Sequence, residues 1–170
     1  MLTLEGAPAM KIDAVTAVLT DPVTLELIDR TPLMRLAYTG LDGAPRVVPL
    51  AYIERAGEIV FCTIPRSAKV PALRRDPRVA ITIDSGDPLC CLLLRGTAEV
   101  EIVDGVPDEY LAANRRTMPV EAQAGFEQQV RGLYDRMARV VITPHFARLN
   151  DFVRHAPKAV EQVVAEKSAS

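Results

Sequence analysis

The chain has 170 residues, 49% of them hydrophobic and 25% charged, and its formal net charge at pH 7 is −2. This composition is typical of one folded domain and excludes a disordered chain, while the near-neutral charge argues against a nucleic-acid partner. The first residues lack a signal-peptide pattern, and the longest apolar run, Leu89 to Leu94, is too short to cross a bilayer. Three cysteines give no disulfide framework. We therefore expect a soluble cytoplasmic protein without a membrane partner.

The N-terminal region predicts two short helices within residues 11–30. Ile12, Val15 and Leu19 recur at helical spacing, which predicts a first helix. Asp21 followed by Pro22 has the form of a helix N-cap and first helical position, so a second helix is expected to begin there.

Two hairpins are predicted next. Met34 to Thr39 alternates apolar and polar side chains, Asp42-Gly43 has the composition of a hairpin turn, and Arg46 to Ile53 is the predicted return strand. Gly57 starts a further turn that leads into a strand over Glu58–Thr63.

A basic stretch with helical periodicity then lies between two β-branched runs, in FCTIPRSAKVPALRRDPRVAITID (residues 61–84). A strand followed by a hydroxyl and a cation at a helix start can bind phosphate, because helix N–H groups and the macrodipole add positive charge. The side-chain donors expected there are Ser67 and Lys69. Alternatively, Ser67 is an ordinary helix N-cap and Lys69 an exposed lysine.

The C-terminal half predicts more strands around a helical excursion. Strands are expected at Arg78–Asp84 and Cys90–Val103, joined by turn residues 85–88, with a bulge or bend at Gly96. Residues 107–137 are predicted to be helical, with a break near Pro119. Two last strands, Arg139–Thr143 and Phe146–Asp151, are expected to join through Pro144, and the tail 157–170 is expected to be a helix or a frayed end.

Most of the predicted connections between strands are too short for the crossovers that parallel strands require. The predicted fold is therefore mainly β, a small antiparallel barrel of six to seven strands with flanking helices, forming a single domain over residues 1–170. The helices of residues 107–137 are expected to cover the core, and a lid over a substrate is the alternative.

Other reactive residues point to no chemistry of their own. His145 and His155 lack the ligand spacing of a zinc site, so no metal is expected. Cys62, Cys90 and Cys91 are expected to be small core side chains rather than nucleophiles.

Three stretches in order carry a resemblance to a known family. They are the hairpin LAYTGLDGAPRVVPLAYIE, the segment TIPRSAKVPALRRDPRVA, and the strand LLLRGTAEV with the later ARVVITPHFARLNDF. Together they resemble the flavin-binding split-barrel family typified by pyridoxamine 5′-phosphate oxidase and the deazaflavin-dependent reductases. The resemblance covers about Leu25 to Asp151 and implies a split β-barrel, in which the TIPRSAKVPALRRDPRVA segment is similar to the phosphate-binding part.

The resemblance further implies a homodimer with cofactor sites at the subunit interface, the cofactor being FMN or the deazaflavin coenzyme F420. Ser67 and Lys69 would bind the cofactor phosphate, with Arg66 nearby. The ring would lie against two strand segments, whose residues are Arg46, Val47, Val48, Pro49, Cys62 and Thr63. The longer anionic tail of coenzyme F420 could also meet Arg74, Arg75, Arg78 and Lys11.

The implied function is an oxidoreductase that transfers hydride between the cofactor and a small organic substrate. No catalytic side chain is assigned, and a proton would come from water or from a pocket tyrosine such as Tyr38 or Tyr52. The ending ARLNDFVRHAPKAVEQVV matches the family's basic substrate-binding region poorly, and the chain has no tryptophan. A genuine pyridoxamine phosphate oxidase is therefore not expected. The alternative is a non-catalytic split barrel that binds or senses a flavin, haem or similar ligand.

Overall fold

Seven antiparallel strands form a single sheet in the computed structural model, which describes residues 10–86, 89–152, 160, 163 and 166–167. Along the sheet the order is β2-β1-β5-β6-β7-β4-β3. The strands are β1 Leu33–Thr39, β2 Pro45–Ala51, β3 Ile53–Arg55, β4 Glu58–Thr63, β5 Arg78–Gly86, β6 Leu89–Asp104 and β7 Arg136–Asp151. The consecutive strands β2 and β3 occupy opposite edges, so the sheet curls and remains split between them. This confirms the predicted mainly β, antiparallel split barrel.

Five helices flank the sheet: α1 Ile12–Leu19, α2 Pro22–Arg30, α3 Lys69–Arg75, α4 Asp108–Arg115 and α5 Val120–Leu133. The Asp21 side chain accepts a hydrogen bond from the Val23 N–H at 2.8 Å, which confirms the predicted cap of α2. The break between α4 and α5 falls at Pro119, as predicted. None of the helices in the described part of the chain is long and apolar enough to span a bilayer.

The two predicted hairpin turns are present, and one return strand is shorter than predicted. Gly43 and Gly57 have φ angles of 81° and 85°, in the left-handed region that glycine adopts without strain. The strand predicted over Arg46–Ile53 ends at Ala51 instead, and β3 begins at Ile53. The residue between them, Tyr52, is fully buried and lies where the chain passes from one edge of the sheet to the other.

The last part of the chain differs from the prediction in two places. Residues Arg136 and Met137 belong to β7 rather than to a helix, because they pair with Asp104 and Val103 of β6. The two strands expected on either side of Pro144 are one continuous strand. Pro144 lacks an N–H, but the ladder continues because a bulge, opposite the Arg95–Gly96 step, leaves His145 as an extra residue in β7.

Glycine is required at position 96, and the predicted irregularity is present there, although the extra residue, His145, lies in β7 opposite it. A Cβ atom placed there would lie 2.7 Å from the Thr143 carbonyl oxygen. Of the turn predicted at residues 85–88, Ser85 and Gly86 belong to β5, and the other two residues lie outside the described part of the chain. Most of the predicted tail, 157–170, also lies outside it, and its four described residues are helical.

Two groups of buried side chains hold the fold together. The larger fills the barrel and continues beneath α1 and α2, with Met34, Leu36, Phe61, Leu92 and Ile142 among its members. The smaller contains Leu111 of α4, Val130 of α5 and Met137 of β7, with Tyr110 and Phe126 packed against it. Helix α4 therefore covers the sheet as expected, whereas Val130 is the one buried residue of α5.

Arg116, at the end of α4, joins three distant parts of the chain. Its guanidinium donates to the carbonyl oxygens of Tyr52 at 2.9 Å and Thr31 at 3.3 Å, and also to those of Ile28 and Asp29 at the end of α2. It lies over the Tyr52 ring, 5.2 Å from the centroid. These bonds satisfy carbonyl groups that a helix end leaves without partners, and they hold the chain where β2 passes into β3.

Replacement of Arg116 by alanine should destabilise the fold. The variant leaves several carbonyl oxygens without their charged donor, so we expect the free energy of unfolding to fall by about 2–3 kcal/mol. The neighbouring variant Arg115→Ala, which removes a partly exposed ion pair with Glu127, should change it by less than about 1 kcal/mol. Urea denaturation followed by circular dichroism measures both, and equal effects would contradict the role assigned to Arg116.

Candidate functional site

A cavity of about 290 Å³ lies between β2, the end of β4 and helix α4. It brings together three residues that the sequence assigns to a cofactor site, Pro49 on β2 and Cys62 and Thr63 on β4. The remaining lining residues are Leu50, Ala51, Ile64, Tyr110, Asn114, Tyr134 and Met137. None of these described side chains is charged at neutral pH, so the cavity suits a flat, largely neutral ring better than an ion.

Aromatic side chains form the wall of the cavity opposite β2. Tyr110 and Tyr134 line it and meet edge to face, with ring centroids 6.4 Å apart, and Phe126 stacks on Tyr110 at 6.0 Å. Asn114, one turn after Tyr110, donates its side-chain N–H to the Tyr110 carbonyl at 2.8 Å. The sequence analysis missed Tyr110 and Asn114 as cavity residues. Their spacing of four on a helix does indicate a shared face, although it does not indicate which strand that face meets.

Burial keeps the reactive groups of this cavity neutral. It raises the pKa of the Cys62 thiol to about 12, and nearby Glu109 adds to this effect while Arg139 opposes it. It also raises the pKa of the Tyr110 hydroxyl. At neutral pH Cys62 is therefore a thiol, which agrees with its expected role as a small apolar side chain.

The cationic segment begins directly after the cavity-lining residues of β4. Arg66 is exposed and Lys69 is half-buried, and neither has an ion-pair partner among the residues that the structure describes. Ser67 does not cap α3, because the N-cap position is Ala68 and no side chain bonds to the helix start. α3 has only seven residues, so the side chains of Arg66, Ser67 and Lys69 are the main donors for an anion here.

Arginines considered for a longer anionic tail have mostly local partners. Arg75 donates to the carbonyl oxygens of Gly40, at 2.6 Å, and Leu41, which attaches α3 to the β1–β2 turn. Arg78 pairs with Asp76 at 2.8 Å and holds the pKa of that carboxyl well below its usual range. Arg74 is exposed and has no such partner within the described residues.

The β2 residues predicted to lie along a ring point in different directions. Val48 packs against the barrel core, whereas Val47 is 66% exposed and Pro49 lines the cavity. Arg46 is half-exposed and pairs with Asp42 of the preceding turn at 2.6 Å. Since β2 is an edge strand, alternate backbone N–H and C=O groups along it are not used in its ladder with β1.

Neither tyrosine suggested as a proton donor lines this cavity. Tyr52 is fully buried, burial raises the pKa of its hydroxyl to about 12, and its hydroxyl has no hydrogen-bond partner among the described residues. Tyr38 is half-buried and packs against the barrel core. The tyrosines that do line the cavity are Tyr110 and Tyr134. Within the described part of the chain, no three His, Cys, Asp or Glu side chains come together as a metal site would require.

A split antiparallel barrel with an uncharged cavity beside a cationic loop defines a class of small barrel proteins. The model of one family in this class, described as pyridoxamine 5′-phosphate oxidase, matches residues 20–145. The chain belongs to this family. No curated protein matches it significantly.

Solved structures share the same fold at low sequence identity. A conserved hypothetical protein from Mycobacterium tuberculosis is 23% identical over 88% of this chain and 90% of its own, with a TM-score of 0.56. An F420 reductase is 24% identical over 72% of this chain and 94% of its own, also with a TM-score of 0.56. General stress protein 26 from Bacillus anthracis is 12% identical over 82% and 95%, with a TM-score of 0.55.

Cys62 should react slowly with thiol reagents, and its reactivity should rise only in strongly alkaline solution. The thiolate is the reacting species, and a pKa of about 12 leaves almost none of it at pH 8. An unfolded chain would release this proton near pH 9.0, so the same shift makes the free energy of unfolding fall as the pH rises from 9.0 towards 12.

Iodoacetamide labelling at several pH values, followed by peptide mass spectrometry, measures this reactivity. The same chain in denaturant is the control, and Cys62 should label rapidly there near pH 9. Rapid labelling of Cys62 in the folded protein at pH 8 would show that it is an activated thiolate instead.

Proposed function

We propose that this protein is an oxidoreductase that binds FMN or the deazaflavin coenzyme F420 and transfers hydride between it and a small organic substrate. The proposal rests mainly on one observation. Within the stretch from Cys62 to Lys69 the chain lines an uncharged cavity and then presents two cations and a hydroxyl that have no partner among the described residues. A cofactor that joins a flat ring to a phosphate has the same two parts in the same order.

The residues present fit such a group. Lys69, Arg66 and Ser67 would hold the phosphate through charge-assisted and neutral hydrogen bonds, and Pro49, Cys62 and Thr63 would contact the ring. The free backbone groups of β2 would meet the polar edge of the ring. When bound, the cofactor supplies the hydride chemistry, and the protein supplies position and a dry environment.

The cavity walls determine what the substrate can be. Tyr110, Asn114 and Tyr134 present hydroxyl and amide groups but no charge, so the site would favour an uncharged, unsaturated substrate. Because Cys62 is a thiol at neutral pH, it would contribute packing and no covalent step. A proton required by the product would come from solvent or from one of the two lining tyrosines.

The proposal includes two cofactors, and they differ in the number of cations that each would need. FMN ends in one phosphate, which Arg66, Ser67 and Lys69 suffice to bind. Coenzyme F420 carries a longer anionic tail, for which Arg74 and Lys11 are available additional cations, since Arg75 and Arg78 have local partners.

Removal of the Lys69 ammonium should weaken cofactor binding. We expect purified protein titrated separately with FMN and with coenzyme F420, and followed by cofactor fluorescence, to bind one of them with micromolar affinity. Lys69→Ala should weaken that binding by about tenfold or more, because a charged donor to phosphate is lost. The matched variant Lys11→Ala, at the start of α1, should bind FMN as the parent does, and the same is expected for coenzyme F420 unless its tail reaches α1.

The outcomes separate this proposal from its main alternative. If neither cofactor binds, or Lys69→Ala binds as tightly as the parent, the redox proposal fails. If a cofactor binds but is neither reduced nor oxidised by any small unsaturated substrate offered, the protein is instead a non-catalytic binding or sensing barrel.

We also propose that the active form is a homodimer with its cofactor sites at the interface. Edge strand β2 has most of its residues exposed or half-exposed, including Val47 at 66%, and Ile64 beside the cavity is 43% exposed. A second copy placed over β2 would cover this apolar surface and close the open side of the cavity.

A charge on β2 should disrupt the dimer without unfolding the chain. The parent should elute with twice the mass of one chain in size-exclusion chromatography with light scattering, and Val47→Glu should elute as a monomer that binds cofactor weakly. Val120→Glu, at an exposed position on α5, should leave the dimer intact. A monomeric parent, or a dimer that Val47→Glu does not affect, would place the interface elsewhere or remove it.

A further inference from the structure

A second and larger cavity lies where α1 and α2 meet the β3–β4 hairpin and the bulge of β7. Its volume is about 810 Å³, which is within the range of small-molecule sites. No residue in the described part of the chain lines both cavities. Any function of this second cavity is therefore separate from the proposed redox site.

Apolar side chains of the two N-terminal helices form one wall. Val15 and Leu19 are buried at its base, while Ile12 is 84% exposed and Leu25 is 47% exposed at its rim. An occupant with an apolar body would cover Ile12 and Leu25 and remove their surface from water, which is favourable.

Two glutamates give the opposite wall its negative charge. Glu54 and Glu58 of the hairpin both line the cavity. Glu54 accepts a hydrogen bond from the Gly57 N–H at 2.6 Å, and Glu58 accepts one from the Thr143 hydroxyl at 3.2 Å, so both carboxylates are held in place. Neither forms an ion pair within the described residues, and none of the described lining residues is lysine or arginine.

Backbone contacts hold the two walls in position relative to each other. The Met10 N–H donates to the His145 carbonyl at 3.1 Å, which attaches the start of α1 to the β7 bulge. Pro144 and His145 of that bulge form the floor of the cavity. This bond therefore holds the start of α1 against the part of β7 that borders the cavity.

We propose that this cavity binds a small amphiphilic cation, a molecule with an apolar chain or ring and an ammonium-type head. The apolar part would lie against α1 and α2, and the head would lie near Glu54 and Glu58. An anion with the same apolar part would be repelled by the two carboxylates, and a neutral one would lose the attraction.

The test compares three probes with the same eight-carbon chain: octyltrimethylammonium, octanol and octyl sulfate, all below their micelle-forming concentrations. Isothermal titration calorimetry on the full chain, without any flavin or deazaflavin, measures each affinity. We expect the cation to bind in a one-to-one ratio and about tenfold or more tightly than octyl sulfate, with octanol between them. The preference should shrink as salt is added.

Two pairs of variants locate the site. Thr16→Trp places a large ring into the cavity from an exposed position and should weaken cation binding about tenfold or more, whereas Ala17→Trp, exposed on the same helix but outside the cavity, should not. The second pair tests the charge. Glu58→Gln keeps the acceptor for the Thr143 hydroxyl and should weaken cation binding about three- to fivefold. Its control is Glu99→Gln, on an exposed part of β6. Circular dichroism verifies that each variant is folded.

The proposal is wrong if octyl sulfate or octanol binds as tightly as the cation, or if both members of a variant pair behave alike. Absence of cation binding to the folded parent also overturns it. Since no cofactor is present in these titrations and the lining residues are distinct, failure here leaves the proposed redox function unaffected, and the reverse also holds.

Discussion

The organisation of this protein depends on the single residue at which the chain leaves one edge of the sheet and begins the other. β2 and β3 are consecutive in sequence but lie at opposite ends of the strand order, with fully buried Tyr52 between them. Arg116 holds this point by bonding to the Tyr52 carbonyl and to the carbonyl oxygens at the end of α2. Arg116 therefore attaches the point where the chain passes between the two edges to the C-terminal end of α2, through charge-assisted hydrogen bonds.

The candidate cofactor site follows from that arrangement. One wall of the smaller cavity comes from β2, another from β4, and a third from α4, whose C-cap residue is Arg116. Arg116, which holds the chain at Tyr52, therefore also positions the helix that carries Tyr110 and Asn114. Stability and cavity geometry are therefore coupled through the backbone carbonyl groups that Arg116 binds. The walls of the smaller cavity themselves contain no charged side chain among the described residues.

Charge is distributed so that the three regions of the molecule present different environments. The smaller cavity is neutral, because burial keeps its thiol and phenol protonated. The loop after β4 is cationic, and its donors Arg66 and Lys69 have no local ion pair in the described chain. The larger cavity is bordered by Glu54 and Glu58. A net charge of −2 thus conceals a local separation of positive and negative surfaces, which the overall composition does not reveal.

The sequence by itself determined the features that arise from local backbone preferences. Asp21-Pro22 starts a helix, Gly43 and Gly57 form turns, and Gly96 marks a bulge, because each of these depends on a few neighbouring residues. Only the tertiary structure decided which distant residues meet: Arg116 with Tyr52, Tyr110 with Cys62, and α1 with the β7 bulge. Even the interpretation of Pro144 as a strand break was wrong, since pairing with β6 continues on both sides of it. Contacts between residues far apart in sequence depend on the path of the whole sheet, and local sequence patterns do not predict that path.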